Sequence, residues 1–321
     1  MHSNRIAYIN GKVLNKDSLS IDEMVDLFKI RGLSILNESE FSKHLEKCNY
    51  FDVTDYKRVL GVLDDNYSGL SDIDLIKTKD LNDKLLSIIF EYTRYFEEKL
   101  RTEFAYVLAQ VDKFYLEDNS NFKTGINSNK LQNKISNKMT MTEDYITHFT
   151  HTGNQVPIWA LIKALTFNEI EWCLNRFNKA KDAKDILENT LNSRHSTRTL
   201  QHIKFIHVIR KTRNICAHYD RLLGQEISIP NIDSIHTMYT RSCFGVIYIL
   251  SEYYLEEKMA KELVHRTFTL FSKHDKFINN KFTNYNNFLD EYTEFKSYHS
   301  MLGCNKVIFK IKFLLNQLYK L

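Results

Sequence analysis

Glycine and proline are scarce in this chain. Nine glycines and two prolines in 321 residues compare with roughly 22 and 16 at average usage. So few breakers exclude a turn-rich β architecture and predict helices joined by short connections. Five cysteines, at 48, 173, 216, 243 and 304, form no C-x-x-C pair. Their odd number and unrelated spacing argue against a disulfide framework or a zinc site and for reduced thiols in the cytoplasm. Long apolar runs are missing too. Leu85–Phe90 and Cys243–Leu250 are the longest and fall far short of the roughly 20 residues a bilayer requires, so no membrane association is expected. Residues 1–16 lack an apolar core segment, so no secretory signal is expected. Charge is nearly balanced, 44 Lys+Arg against 40 Asp+Glu, net +4. The whole-chain charge therefore does not point to a polyanionic partner. The sequence shows neither an internal repeat nor a Gly-rich phosphate loop.

A hydrophobic content of 43% is ample for a buried core, and the expected class is all-α. Residues 1–18 alternate weakly and read as an extended arm. Ser20 with Glu23 forms a capping box ahead of Met24, Leu27 and Phe28, and Gly32 stops that helix. Asn37 with Glu40 reads as a second capping box opening a helix that carries Phe41, Leu45 and Cys48, and residues 64–74 read as a loop. One long amphipathic helix is expected from Leu81 to about Leu116. Residues 117–138, rich in Asn, Ser and Lys, read as a mobile connection. Further helices are expected over 142–150, from Pro157, from an Asn168 cap through Phe177, and over 182–192, 197–222, 235–256 and 258–273. The tail ends in an amphipathic stretch at 307–318. The expected organisation is an N-terminal helical lobe (1–75), a helical core (76–260) and a C-terminal helical extension (261–321).

One segment stands apart from the balanced charge. From Arg194 to Arg221 lie seven Lys or Arg residues and four histidines, with Asp220 as the only acid. Such a segment can hold a phosphate and move a proton beside it, the two tasks of a metal-free ribonuclease. Within it, Arg213-Asn214-Ile215-Cys216-Ala217-His218 places a guanidinium five residues before an imidazole. An unperturbed histidine pKa near 6.5 keeps both protonation states available. On an ideal helix Asn214 and His218 share a face that Arg221 joins and Arg210 borders. Arg213 lies about 140° around from His218. Its guanidinium must reach round the helix, or the turn must distort, or a second copy must complete the pair. A two-fold dimer would place two Arg and two His in one cleft. The alternative is a solvated basic face with a surface histidine.

Other features have simpler readings. Arg198 and His202 read as a surface pair, and His148 with His151 lack partners for a metal site. Glu97 and Arg101 are i, i+4 and read as an intrahelical ion pair able to orient the catalytic groups. The aromatic series Phe282, Tyr285, Phe288, Tyr292 and Phe295 reads as helix packing, with stacking on unpaired bases the other option.

The motif extends to RNICAHYDRL at 213–222, which resembles the RNxxAHxxRL pattern of the Abi-like (AbiD/AbiF) abortive-infection proteins of bacterial phage defence, a HEPN-superfamily group. Further resemblance lies in LSIDEMVDLFKIRGLSI (19–35), HLEKCNYFDVTDY (44–56), EEKLRTEFAYVLA (97–109) and VPIWALIKALTF (156–167), in the same order. The resemblance implies a HEPN-type helical bundle that dimerises to build its cleft. Arg213 and His218 would then be catalytic, with Asn214 supporting. It also implies RNA cleavage restrained by an antitoxin or a structured noncoding RNA. Arg210, Lys211, Arg221 and Arg198 are the expected RNA anchors, with Glu97 and Arg101 supporting and no metal or other cofactor. An RNA-binding protein without turnover and a pure interaction scaffold are the rival expectations.

Overall fold

The computed structural model describes residues 8–9, 12–13, 18–48, 50–123, 133–134, 136–138, 143–151, 155–178, 180–190, 199–230, 242–282 and 286–303. Arg198 and the amphipathic stretch at 307–318 lie outside them. The described architecture is all-α. Its one sheet is a two-residue antiparallel pair, β1 (Tyr8–Ile9) with β2 (Lys12–Val13), within the expected extended arm.

The helices, in chain order, begin with α1 (Ile21–Ile30), α2 (Glu38–Lys47), α3 (Tyr50–Thr54) and α4 (Asp72–Val111). Next come α5 (Asp144–Thr150), α6 (Ile158–Ala164), α7 (Phe167–Arg176), α8 (Ala180–Thr190) and α9 (Thr199–Ala217). The last are α10 (Cys243–Ile249), α11 (Glu257–Lys273), α12 (Asp275–Lys281) and α13 (Asn286–Gly303). A π-helical turn, Leu250–Tyr254, extends α10.

Local chemistry sets most boundaries. The Ser20–Glu23 capping box forms in both directions, and Gly32 ends α1's exit turn at φ +88°. The Asn37 side chain caps α2 through Glu40 N–H, but the return bond from Glu40 to the Asn37 backbone is absent. Asp72 accepts that N–H at 3.3 Å and Leu36 N–H at 3.1 Å instead. Asp72 thereby pins the start of α4 to the α2 entry, and α4 begins nine residues before the expected Leu81. Thr166, not Asn168, caps α7, in a capping box with Glu169. The connection expected to be mobile is tethered at both ends. Phe122 is buried against Phe177 and Trp172, and Lys138 donates to Ala164 O and pairs with Glu169.

The 40-residue α4 is the spine. Leu81, Leu85, Ile89, Tyr92, Phe96, Leu100, Phe104 and Leu108 are all buried. Helices α6, α8, α9 and α11 pack around them. Each such side chain contributes roughly 1.5–3 kcal/mol by leaving water. A spine enclosed on several sides must also bury polar groups, and Glu97 is one of them. The C-terminal aromatics pack as a core: Phe244 lies against Phe288, Tyr292 and Phe295 at 4.8–6.0 Å. Tyr285 lies outside the described residues. No described helix is long and apolar enough to cross a membrane.

Candidate active site

The basic segment forms α9, which ends earlier than its pattern predicts. Helix geometry stops at Ala217 instead of 222 because Tyr219 turns left-handed, at φ +56°. Asp220 N–H donates to Ile215 O at 3.0 Å and Tyr219 N–H to Cys216 O at 3.3 Å. These two bonds close the helix end in the arrangement glycine usually serves. His218 therefore occupies the C-cap, its own N–H bonded to Asn214 O at 3.0 Å. Its side chain is exposed.

The reversal removes Arg221 from the face it was expected to share. Its guanidinium donates to Asp55 O, in the turn after α3. The next residues are fixed just as firmly. Asn82 Oδ1, on α4, accepts Leu222 N–H at 2.8 Å and Leu223 N–H at 3.0 Å. Gly224, at φ +68°, lies so near Val59 that a Cβ there would meet Cγ2 at 2.1 Å. The N-terminal helices thus brace the exit from α9, and Arg221 serves as a strut.

Arg213 emerges at the edge of the buried side marked by Ile209 and Cys216, as expected. It lands on Glu97, a residue only 5% exposed. Glu97 Oε1 takes Arg101 Nε at 3.0 Å, and Oε2 lies 2.8 Å from Arg213 Nε. The Arg213 N–H is not aligned with that oxygen, so this contact is an ion pair without hydrogen-bond geometry. The expected Glu97–Arg101 pair is present, and Arg101 also donates to Ile162 O and Leu165 O at the end of α6. Those bonds satisfy carbonyls that a helix terminus leaves orphaned. The Arg213 guanidinium lies 5.9 Å from the Phe90 ring centroid, and its Nη1 is 3.4 Å from Asn214 Oδ1. With 31% of the side chain exposed, the guanidinium is partly open to solvent.

The other basic residues divide. Arg210 is engaged by Glu171 of α7, which also takes His207 Nδ1 at 2.8 Å. Lys211 is exposed and free of ion pairs among the described residues. His202, expected at the surface, is 1% exposed, its Nδ1 3.0 Å from Tyr254 Oη. The tail of α10 buries it. Glu171 is not legible as a partner in the sequence because it lies 39 residues from Arg210 and only the packing of α7 on α9 joins them.

Among the described residues no group of three or more His, Cys, Asp or Glu side chains is placed to hold a metal ion. The burial of the Cys173, Cys216 and Cys243 thiols pushes their pKa up, that of Cys216 to about 12. Such thiols are poor nucleophiles. The polar chemistry available at the end of α9 is therefore a guanidinium, an amide and an imidazole around an open surface.

Comparison with known proteins agrees with this segment's prominence. No curated protein and no solved structure gives a significant match. The family model described as Abi-like protein matches residues 43–224, from the middle of α2 to the glycine that follows the α9 exit. That match covers more than half of the chain and links it to abortive infection, a phage-defence response: the chain belongs to the Abi-like protein family.

Proposed function

We propose that this protein is a metal-independent endoribonuclease of the HEPN type, acting in phage defence or a toxin–antitoxin pair. The observation that carries this reading is the grip of buried Glu97 on Arg213 Nε, one turn before an exposed His218. That grip leaves the far side of the guanidinium for a phosphate. A planar fork fixed at one edge suits two phosphate oxygens.

In the proposed reaction one His218 imidazole takes the proton of a ribose 2′-OH. The 2′ oxygen attacks the adjacent phosphorus, the P–O5′ bond breaks, and a second imidazole protonates the departing oxygen. The products are a 2′,3′-cyclic phosphate and a 5′-OH. Arg213 stabilises the charge that develops on the phosphorus oxygens, and Asn214 positions the phosphate or the imidazole. The reaction draws its nucleophile from the substrate itself and so requires no metal. The second imidazole comes from another copy of the chain across a two-fold axis, making the active form a homodimer. A structured noncoding RNA or protein antitoxin would restrain it.

The test is end-group analysis of RNA from cells expressing the parent or His218→Ala protein. Cyclic-phosphate ends should fall by about 10²- to 10⁴-fold in the variant. Equal ends from both would remove the enzyme. Tight RNA binding without any cyclic ends would favour a protein that only holds RNA.

A further inference from the structure

Helix α9 is buried on most of its circumference, yet one line of residues reaches solvent along its length. Lys204, His207, Lys211, Asn214 and His218 follow one another at intervals of three or four, the spacing of a single helical face. Lys204, Lys211 and His218 are exposed and His207 and Asn214 half-buried, whereas Phe205, Ile206, Val208, Ile209 and Thr212 between them are buried. From Lys204 to His218 the line runs about 21 Å at 1.5 Å per residue, room for several nucleotides of single strand.

The line carries no carboxylate. Two acids that pack against α9, Glu97 and Glu171, are already neutralised by arginines, and Asp220 lies past the left-handed turn that ends the helix. Neither Lys204 nor Lys211 has an ion-pair partner among the described residues, so both keep their full attraction for an anion. His207 is different. Its Nδ1 faces Glu171 Oε1 at 2.8 Å. An ionised carboxylate can only accept, so Nδ1 carries a proton, and in the neutral form of the ring Nε2 is then the acceptor. Nε2 has no partner among the described residues. An acceptor between two ammonium groups matches a ribose hydroxyl between two phosphates. Deoxyribose cannot supply that donor.

We infer that single-stranded RNA lies along α9, with Lys204 and Lys211 on phosphates and His207 Nε2 accepting a 2′-OH. This track leads the strand to Arg213 and His218. The inference rests on the RNA reading above and assigns it a binding path and a basis for preferring RNA over DNA. Two such lines facing each other in a dimer would repel, and a polyanion between them removes that cost.

The test uses the full chain with His218→Ala as background, so that bound RNA survives, and titrates a 12-nucleotide RNA and its DNA equivalent at several salt concentrations. Lys204→Ala with Lys211→Ala should weaken both ligands at least 10-fold and reduce the slope of log K against log salt by about 1.4, at 0.7 per contact on a single strand. His207→Ala should lower RNA affinity several-fold and leave DNA and the salt slope as they were. Lys258→Ala, which removes an exposed charge on α11, is the off-track control. An unchanged slope in the lysine variant overturns the track. Equal losses for RNA and DNA on His207→Ala overturn the hydroxyl contact. Should the parent cleave nothing while these binding differences hold, the nuclease fails and the track stands.

Discussion

Glu97 and Arg213 meet at 2.8 Å across the α4–α9 contact, although 116 positions separate them in the chain. The same carboxylate holds Arg101, so one buried acid balances two guanidinium groups. Glu97→Gln keeps the shape and removes the charge. The arginines, 22% and 31% exposed at the side chain, would be left without their counter-ion at a loss of about 1–3 kcal/mol. A guanidinium freed by even an ångström should slow RNA cleavage by about 10²-fold. Thermal unfolding and single-turnover cleavage on the same preparation measure both effects. Arg213→Lys should lose activity with less loss of stability, because one ammonium cannot both pair with Glu97 and fork a phosphate.

The exit from α9 yields a second prediction. Gly224→Ala forces a methyl group into Val59 and places a Cβ at φ +68°. It should cost about 2 kcal/mol or more. Val59→Ala relieves only the collision, so the double variant should be more stable than the sum of the single losses requires. Asn82→Ala, which strips the acceptor from Leu222 and Leu223 N–H, should cost about 2–4 kcal/mol. Urea unfolding of the parent and these four variants decides the matter, and strict additivity between positions 59 and 224 would contradict the contact.

What the sequence makes legible is whatever neighbouring residues decide. Ser20 with Glu23 marked a helix start, and Pro157 stands at the N-cap of α6, because caps act over three or four residues. The Thr166–Glu169 box was equally local and readable, yet Asn168 drew the cap. The end of α9 was not legible because Tyr219 holds a turn that glycine or asparagine would have announced. Arg221 shows the consequence: an unbroken helix would keep it beside Asn214 and His218, whereas the folded chain turns its guanidinium to Asp55 O. The Arg210–Glu171 and Arg213–Glu97 pairs follow from how helices pack, which no short-range pattern encodes. The all-α class lay within reach of composition, and the RNICAHYDRL motif within reach of its resemblance to the Abi-like pattern.

Tyr219 itself is testable. The residue is 74% exposed, so replacing it loses little burial, while the left-handed backbone costs a non-glycine residue about 1–2 kcal/mol. Tyr219→Gly should gain part of that, offset by the greater freedom of glycine in the unfolded chain. The expected net is a stabilisation of about 0.5–1 kcal/mol, or about 2 °C in Tm. A fall in Tm would mean that the ring makes a stabilising contact.

Stability should fall as the solution becomes mildly acidic. His44, His274 and His299 all have pKa values below the ordinary 6.5, each chiefly because burial disfavours the charged ring. Lys79 adds to the effect at His44, and Asp83 opposes it. His44 Nε2 also lacks a hydrogen-bond partner among the described residues. In the folded chain these rings stay neutral below pH 6.5, whereas the unfolded chain takes up protons there. More protons bound in the unfolded state means that stability rises with pH. The contribution is complete above about pH 6.5 and is lost as pH drops through the lower folded values. Glu169 and Asp65, whose carboxyls are held below their usual range by hydrogen bonds and lysine or arginine charges despite burial, lose their share only in stronger acid. Tm should therefore decline between pH 7.5 and 5.5, and His44→Leu should flatten that decline. A Tm that stays level across the interval would show that these rings do not control it.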